Sequence, residues 1–251
     1  MRSIMQSRHV RFCRLAAGVA SLSAVLQVQA CEYAVAVETQ SYRPYFSMES
    51  GRYEGYAREL LDAFAVTLGC QFSYRPLPIK RAHGGFLAGQ LDFRFPDNPA
   101  WNAELKKGFG VHYSAPVIDF IDGLLVLPQH VGRGQGAIRE LGTLLGFTPA
   151  SYEQAIASGA ITLRQVHNTR SLLQMGLLGR VDAVYLNPVV ARQALAEMGR
   201  PQALRFDPAL PYLSDHYYLS SLRHPELLQR FNAFLRDSGE LQRALRRKYD
   251  L

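Results

Sequence analysis

The 251-residue chain has only three cysteines and one tryptophan, and beyond its first thirty residues no apolar run approaches the ~20 residues that span a bilayer. It contains no Gly-x-x-x-x-Gly-Lys-Ser/Thr loop, no Gly-x-Gly-x-x-Gly turn, no Gly-x-Ser-x-Gly elbow and no His-Glu-x-x-His pair. The sequence therefore carries no signal for a nucleotide-phosphate loop, a hydrolase elbow or a zinc-protease helix. Its histidines, among them His83, His112, His167 and His216, are scattered without the spacing of a metal site. No metal and no cofactor is expected.

An excess of one charge is also missing once the N-terminus is set aside. Residues 1–30 carry Arg2, Arg8, Arg11 and Arg14, no acid, an apolar-rich run Leu15–Leu26, and then Val28-Gln29-Ala30. That is the pattern of a cleavable export signal, too short for a spanning helix. The mature protein is expected to begin at Cys31, in the periplasm. Of 28 basic residues the leader takes four, leaving 24 against 21 acidic ones. With no basic run interleaved with aromatics, nucleic acid is not an expected partner.

Cys13 leaves with the leader, so Cys31 and Cys70 remain, each directly ahead of a strand pattern, Tyr33–Glu38 and Gln71–Arg75. If those strands are parallel neighbours, the two sulfurs lie side by side, and an oxidising periplasm would join them. The alternative is a lipoprotein acylated at Cys31; Gln29 suits that signal poorly, and no tether follows.

What the chain has in quantity is alternation. Strand patterns at 33–38, 71–75 and 91–95 enclose a helix over 56–68 and another within 81–89. The first helix carries Leu60, Leu61, Phe64, Ala65 and Leu68 on one stripe and stops at Gly69. A second unit follows, with strands at 143–147, 161–166 and 181–186. Thr148-Pro149, Asn168-Thr169 and Asn187-Pro188 open helices after them. Pro128–Gly136, "PQHVGRGQG", reads as a surface hairpin. A strand over 217–220 and helices over 225–237 and 240–249 end the chain. Alternation of this kind implies α/β architecture with parallel sheets flanked by helices, and ligands bound at the carboxyl ends of the strands.

One such end is unusual. "LDFRFPDNPAW", Leu91–Trp101, places Arg94 inside a strand and then runs into a polar, double-proline loop ending at the only tryptophan.

The stretches "RPYFSMESGRYEGYARELLDAFAVTLGC", "GQLDFRFPDNP", "VHYSAPVIDFIDGLLVL", "GRVDAVYLNPVVARQAL" and "YYLSSLRHPELLQRFNAFLRDSGELQRALRRKY", in this order and spacing, resemble the family 3 extracellular solute-binding proteins. These are periplasmic receptors of polar amino-acid ABC importers. The likeness covers about Val35 to Tyr249. It implies a two-lobed, periplasmic-binding-protein-like clamshell of type II, each lobe a mainly parallel sheet flanked by helices, joined by two crossover strands near Val117–Gly123 and Asp215–Tyr218. Lobe 1 would comprise 31–120 plus 217–251, and lobe 2 residues 121–216. The implied protein is a monomer, not an enzyme. Its partners would be a small polar solute, an amino acid or related carboxylate, and an inner-membrane permease.

Position by position, the resemblance implies a ligand contact for Tyr45, and Tyr113 is a further candidate contact. It also implies contacts at helix N-termini for Thr148, Asn168 and Thr169. Asn187 stands where the family commonly has an aspartate that pairs with a ligand ammonium, and Ile79 where it has a stacking aromatic. The family's carboxylate-binding arginine would fall near Glu104–Lys107, where there is none. The loop is therefore expected to have rebuilt the pocket. Asp97, beside Asn98, would take over the acidic role, Trp101 the aromatic one, and Arg94 or Arg81 would be the planar cation. Other roles stay open. Arg94 can bridge to Asp92 or Asp119, Trp101 can pack the loop, and Tyr113 can be a core or pocket-edge residue. Asn187 can simply cap its helix, and Lys106-Lys107 can be a solvated face. Two alternatives to import also stand: a sensor that presents its ligand-bound form to a membrane protein, and a cyclohexadienyl dehydratase-like enzyme, for which Asp97 is the visible general acid.

Overall fold

The computed structural model describes residues 31–251. The expected leader, 1–30, and its cleavage site lie outside the described residues. The first unit runs β1 (Glu32–Glu38), α1 (Tyr56–Leu68), β2 (Gln71–Leu77), α2 (Ile79–Leu87), β3 (Phe93–Asp97), α3 (Ala103–Lys106) and β4 (His112–Tyr113). The long strand β5 (Ile118–Val126) leads into β6 (Glu140–Leu144), α4 (Glu153–Ala157), β7 (Thr162–Val166), α5 (Thr169–Leu177), β8 (Ala183–Leu186), α6 (Pro188–Glu197) and β9 (Arg205–Phe206). A second long strand, β10 (Leu213–Ser221), returns to α7 (Pro225–Asp237) and α8 (Gly239–Tyr249).

The strands hydrogen-bond in the order β2-β1-β3-β10-β5-β8-β6-β7. At one end β1 is parallel to both β2 and β3; at the other β6 is parallel to both β7 and β8. In between, β5 and β10 pair antiparallel from Leu213↔Asp122 to Tyr217↔Ile118. They are the two expected crossover strands, and the α/β clamshell expected from the sequence is the architecture observed.

Local chemistry explains the elements. In α1, Tyr56, Ala57, Leu60, Leu61, Phe64 and Ala65 are buried on one side. The helix ends at Gly69 (φ 66°), whose N–H reaches the carbonyls of Ala65 and Val66. Asn168 caps α5 by accepting from Ser171 N at 2.8 Å, and Asn187 caps α6 by accepting from Val189 N at 2.8 Å.

Two local expectations are corrected. Thr148-Pro149 does not open a helix: the strand lies earlier, at 140–144, and a 3₁₀ turn at Ala150–Tyr152 precedes the short α4. No side chain caps either element, so Thr148 has no long helix dipole behind it. Residues 128–136 form no hairpin but two 3₁₀ turns, Pro128–His130 and Gln135–Ala137.

Strand β3 runs two residues later than its pattern suggests and contains Pro96, although β1 and β10 flank it. Opposite it, Tyr218 pairs with Asp97 and Ser220 with Arg94, so three steps on β3 face two on β10. This is a bulge, the place where a central strand accommodates proline. It also changes side-chain direction. Residues three apart on a regular strand point to opposite faces, yet here Arg94 and Asp97 meet at 3.0 Å.

Cys31 and Cys70 are joined in a disulfide, with their Cα atoms 4.6 Å apart. The bridge starts the parallel register, in which Glu32 faces Gln71. Closing a loop of 39 residues contributes about 4 kcal/mol on chain-entropy grounds. Reduction, or the pair Cys31→Ala/Cys70→Ala, is expected to lower unfolding free energy by about 3–4 kcal/mol in urea titrations. An unchanged midpoint would show that the bridge constrains nothing.

Candidate functional site

Between the two halves lies a cavity of about 50 Å³. By the measure in which one water needs ~10–15 Å³, it has room for a few water-sized groups. Carboxyl ends of parallel strands supply much of its wall: Glu38 ends β1, Arg94 and Pro96 belong to β3, and Gly146, Phe147 and Thr148 follow β6. Tyr42 and Phe46 come from the loop after β1, Ile79 from the start of α2, and Trp101 and Asn102 from the loop after β3. Asp122 and Tyr217, from the crossover strands, form the back. Across the mouth the halves approach closely: a Cβ on Gly146 would lie 3.2 Å from that of Ile79.

Arg94 is 2% exposed and borders this space. Nη1 makes both of its hydrogen bonds, donating at 3.0 Å to Asp97 Oδ1 and at 3.0 Å to His83 Nδ1. Its Nε is buried with no partner among the described residues. Burial, first, and the neighbouring guanidinium push His83 down to about 4, so the ring is neutral and Nδ1 accepts. Neither Asp92 nor Asp119 is the partner of Arg94. Asp92 accepts from Ala34 N and Arg223, and Asp119 pairs with His216.

Asp97 takes a different place from the one expected. It is fully buried and does not line the cavity. Oδ1 accepts from Arg94, Lys106 Nζ (2.8 Å) and Asn98 N (2.8 Å), and Oδ2 accepts from Ser220 Oγ (2.6 Å). It has no capacity left for a ligand or a proton transfer. Lys106 is not on a solvated face: it is 8% exposed, bonded also to Asn98 O at 2.7 Å, and burial lowers its pKa. Lys107 alone is exposed, beside Glu104.

The other expected residues divide. Trp101 does both things considered for it, lining the cavity and packing on Phe120 and Tyr217, each at 5.8 Å. Thr148 lines the rim without the helix terminus that motivated it. Asn98 ties the loop to β10 through Asp215 (2.8 Å) and the His216 carbonyl. Tyr113 packs under Lys106, 5.2 Å from its Nζ, and Arg81 is exposed on α2. Tyr45 lies behind the crossover strands with Asn187, whose Nδ2 donates to its hydroxyl at 3.3 Å. Asn187 Oδ1 is occupied by the α6 cap. Asn168 and Thr169 border a separate groove, where Thr169 Oγ1 donates to Ser41 O at 3.2 Å across the halves.

Missed from the sequence were Tyr42, three residues from Tyr45, and two acids, Glu38 and Asp122. Their signals were present: Glu38 is the last residue of its strand, and Asp122 interrupts the apolar run "IDFIDGLLV". Burial pushes Glu38 up to about 7 against the pull of Arg94, and burial pushes Asp122 up to about 7, helped by Glu38 and opposed by the Tyr42 hydroxyl.

No family model matches the chain, and no curated protein matches it. Solved structures do. An ancestral arginine-binding protein bound to arginine superposes with a TM-score of 0.71 at 18% identity, covering 87% of this chain and 97% of that one. The amino acid ABC transporter substrate-binding protein AbpA from Streptococcus pneumoniae, bound to L-arginine, gives 0.68 at 16%, covering 87% and 94%. The ancestral amino acid-binding protein AncCDT-1, a precursor of cyclohexadienyl dehydratase, gives 0.66 at 20%, covering 87% and 95%. At these identities the likeness establishes the fold, that of the two-lobed periplasmic binding proteins.

Two outcomes test the electrostatics. Asp97→Asn leaves two buried cations without their carboxylate and is expected to cost on the order of 3–5 kcal/mol in urea unfolding. Glu38 keeps its proton in the folded state up to about pH 7, against 4.5 when unfolded, so its contribution to stability falls as pH rises through that window. His83 acts in the opposite sense, weakening the fold as pH drops from 6.5 toward 4. Glu38→Gln is therefore expected to gain on the parent by up to about 3 kcal/mol at pH 8 and to lose that gain near pH 4.5. A pH-independent difference would refute the shift.

Proposed function

We propose that the chain is a periplasmic receptor that closes over a small polar solute, an amino acid or related carboxylate, for ABC-type import. The observation that carries this reading is Arg94, a buried guanidinium whose Nε has no acceptor, bordering the cavity between the halves. Asp97 pairs with Nη1 alone, and a buried N–H left without an acceptor costs about 1–3 kcal/mol, which a ligand carboxylate taken by the guanidinium would offset. Trp101, Phe147 and Tyr217 supply the apolar walls common to small-molecule sites.

In this reading residues 31–120 with 217–251 form one jaw and 121–216 the other, with β5 and β10 as the hinge. The ligand shifts the population toward the closed form by its higher affinity for it. Two of the similar structures hold arginine, which agrees with an amino-acid ligand. Residues 1–30 would direct export, and the mature protein would act as a monomer. No catalytic step is assigned, since Asp97, the acid that would serve one, is fully engaged.

The test is a thermal-shift screen of residues 31–251 against amino acids and small carboxylates. A ligand at 100 times its Kd stabilises by ~2.7 kcal/mol. That gain is expected to vanish in Arg94→Met, which leaves Lys106 to neutralise Asp97. A ligand that stabilises Arg94→Met as well as the parent would overturn the role of Arg94.

A further inference from the structure

Resting on that reading of Arg94, we propose that His83 is a positioning residue of the candidate carboxylate site. Together with Asp97 it takes both protons of Arg94 Nη1, so that the guanidinium presents its Nε–Nη2 edge and receives a ligand carboxylate side-on. Helix α2 turns Ala82, His83 and Phe86 inward, which places the imidazole, 5% exposed, on the face packed against β1, β2 and β3. A guanidinium has donors and no acceptor. The 3.0 Å contact from Nη1 therefore requires an unprotonated Nδ1 and puts the ring's one proton on Nε2. That Nε2–H is buried and finds no acceptor among the described residues. An unsatisfied buried donor is destabilising, and a leucine or phenylalanine here would fill the space without it. The hydrogen bonding of this ring is directed at Arg94 alone.

Nη1 carries two protons, and Asp97 and His83 account for both. Neither of these residues lines the cavity, whereas Arg94 does. What remains is the opposite edge: Nε is buried without a partner, and Nη2 makes no hydrogen bond among the described residues. The N–H groups of that edge are parallel and lie in one plane, at the spacing of the two oxygens of a carboxylate. With Asp97 alone, one bond would hold Nη1 and the plane could turn about it. Two acceptors at one nitrogen fix the plane. The second acceptor is also neutral. Arg94 and Lys106 bring two positive charges against the one negative charge of Asp97, and His83 leaves that excess intact. An acid at position 83 would hold Nη1 equally well but cancel the charge on which a ligand carboxylate depends.

The consequence is discrimination by shape. A carboxylate offers one oxygen to each N–H of the edge, whereas a carboxamide offers a single oxygen and turns an N–H against the other donor.

Two readouts on residues 31–251 test this, with urea midpoints confirming that each variant is folded. In heteronuclear NMR the Arg94 guanidinium is identified by its absence in Arg94→Met. Separate Nη1 and Nη2 signals are expected in the parent and in His83→Asn, whose Oδ1 takes the place of Nδ1 and accepts in its stead. In His83→Leu the two signals are expected to average, as the side chain turns freely. The second readout is calorimetric titration with L-arginine, the amino acid held by two of the similar structures, and with L-argininamide, which lacks the carboxylate. The parent and His83→Asn are expected to prefer L-arginine by about tenfold or more, and His83→Leu by about threefold or less. Separate signals and an undiminished preference in His83→Leu would show that His83 only fills space, overturning the proposal and leaving the receptor intact. Averaged signals in His83→Leu without any preference for L-arginine in the parent would overturn the side-on site. Binding of neither compound, together with an empty thermal-shift screen, would overturn the receptor reading as well.

Discussion

Everything around the cleft depends on one buried carboxylate. Asp97 neutralises two cations out of contact with water and fastens three parts of the chain: β3 through Arg94, α3 through Lys106 and β10 through Ser220. Buried ions are tolerated only when paired and hydrogen-bonded, so these groups cannot move independently. The bulge opposite Pro96 makes the arrangement possible by bringing positions 94 and 97 to one side. From that anchor the loop runs on through Asn98, held by Asp215 and the His216 carbonyl, to Trp101 on the aromatic stack of Phe120 and Tyr217, whose rings lie 4.5 Å apart. The guanidinium at the cavity wall is thus fixed by its supports before any ligand arrives, which is the condition for binding without a large ordering cost.

The second constraint joins the cavity to the crossover strands. The Tyr42 hydroxyl donates to Asp122 on β5 and accepts from Asn187 N at the start of α6, both at 3.3 Å. One side chain from the first unit therefore touches a crossover strand and the second unit at once. Further ties across the halves lie at the periphery: Thr169 to the Ser41 carbonyl, Arg43 to Glu197 at 3.6 Å, and Arg192 to Asp250 at 2.7 Å. The ion pairs among them are exposed and contribute little each. The buried Tyr42 contacts are better placed to couple the halves.

The fold was legible because its signals are local. The α1 stripe and Gly69, the Asn168 and Asn187 caps and the strand–helix alternation each act within a few residues. The misreadings came where a pattern admits two outcomes, as with Thr148-Pro149, whose capping chemistry also suits a 3₁₀ turn. The site was far less legible. Arg94 and Trp101 stood out as anomalies of their own segments, and both reach the cavity. Asp97 stood out equally, but the sequence could not tell that Lys106 and Ser220, 9 and 123 positions away, would claim its oxygens. Nor could it choose between Tyr42 and Tyr45, equivalent aromatics of one loop. Glu38 and Asp122 escaped notice because an acid at a strand end, or one inside an apolar strand, is ordinary until the chain buries it.

The neutral residue at position 187 also has a physical reason. Asn187 is fully buried, and the Tyr42 hydroxyl connects it to Asp122, which burial already makes reluctant to ionise. An aspartate at 187 would put a further buried negative charge near Asp122, on the other side of the Tyr42 hydroxyl, with Arg94 already committed to Asp97. Like charges in such a setting push one another toward protonation, so a third acid would weaken the charge already there more than it added to it. Asparagine keeps the helix cap, since its Oδ1 accepts from Val189 N and Val190 N as a carboxylate would, and it adds the Nδ2 donor that holds Tyr45. Asp122 pairs with Leu213 of β10 where the halves join, so the state of its carboxyl is felt at both crossover strands.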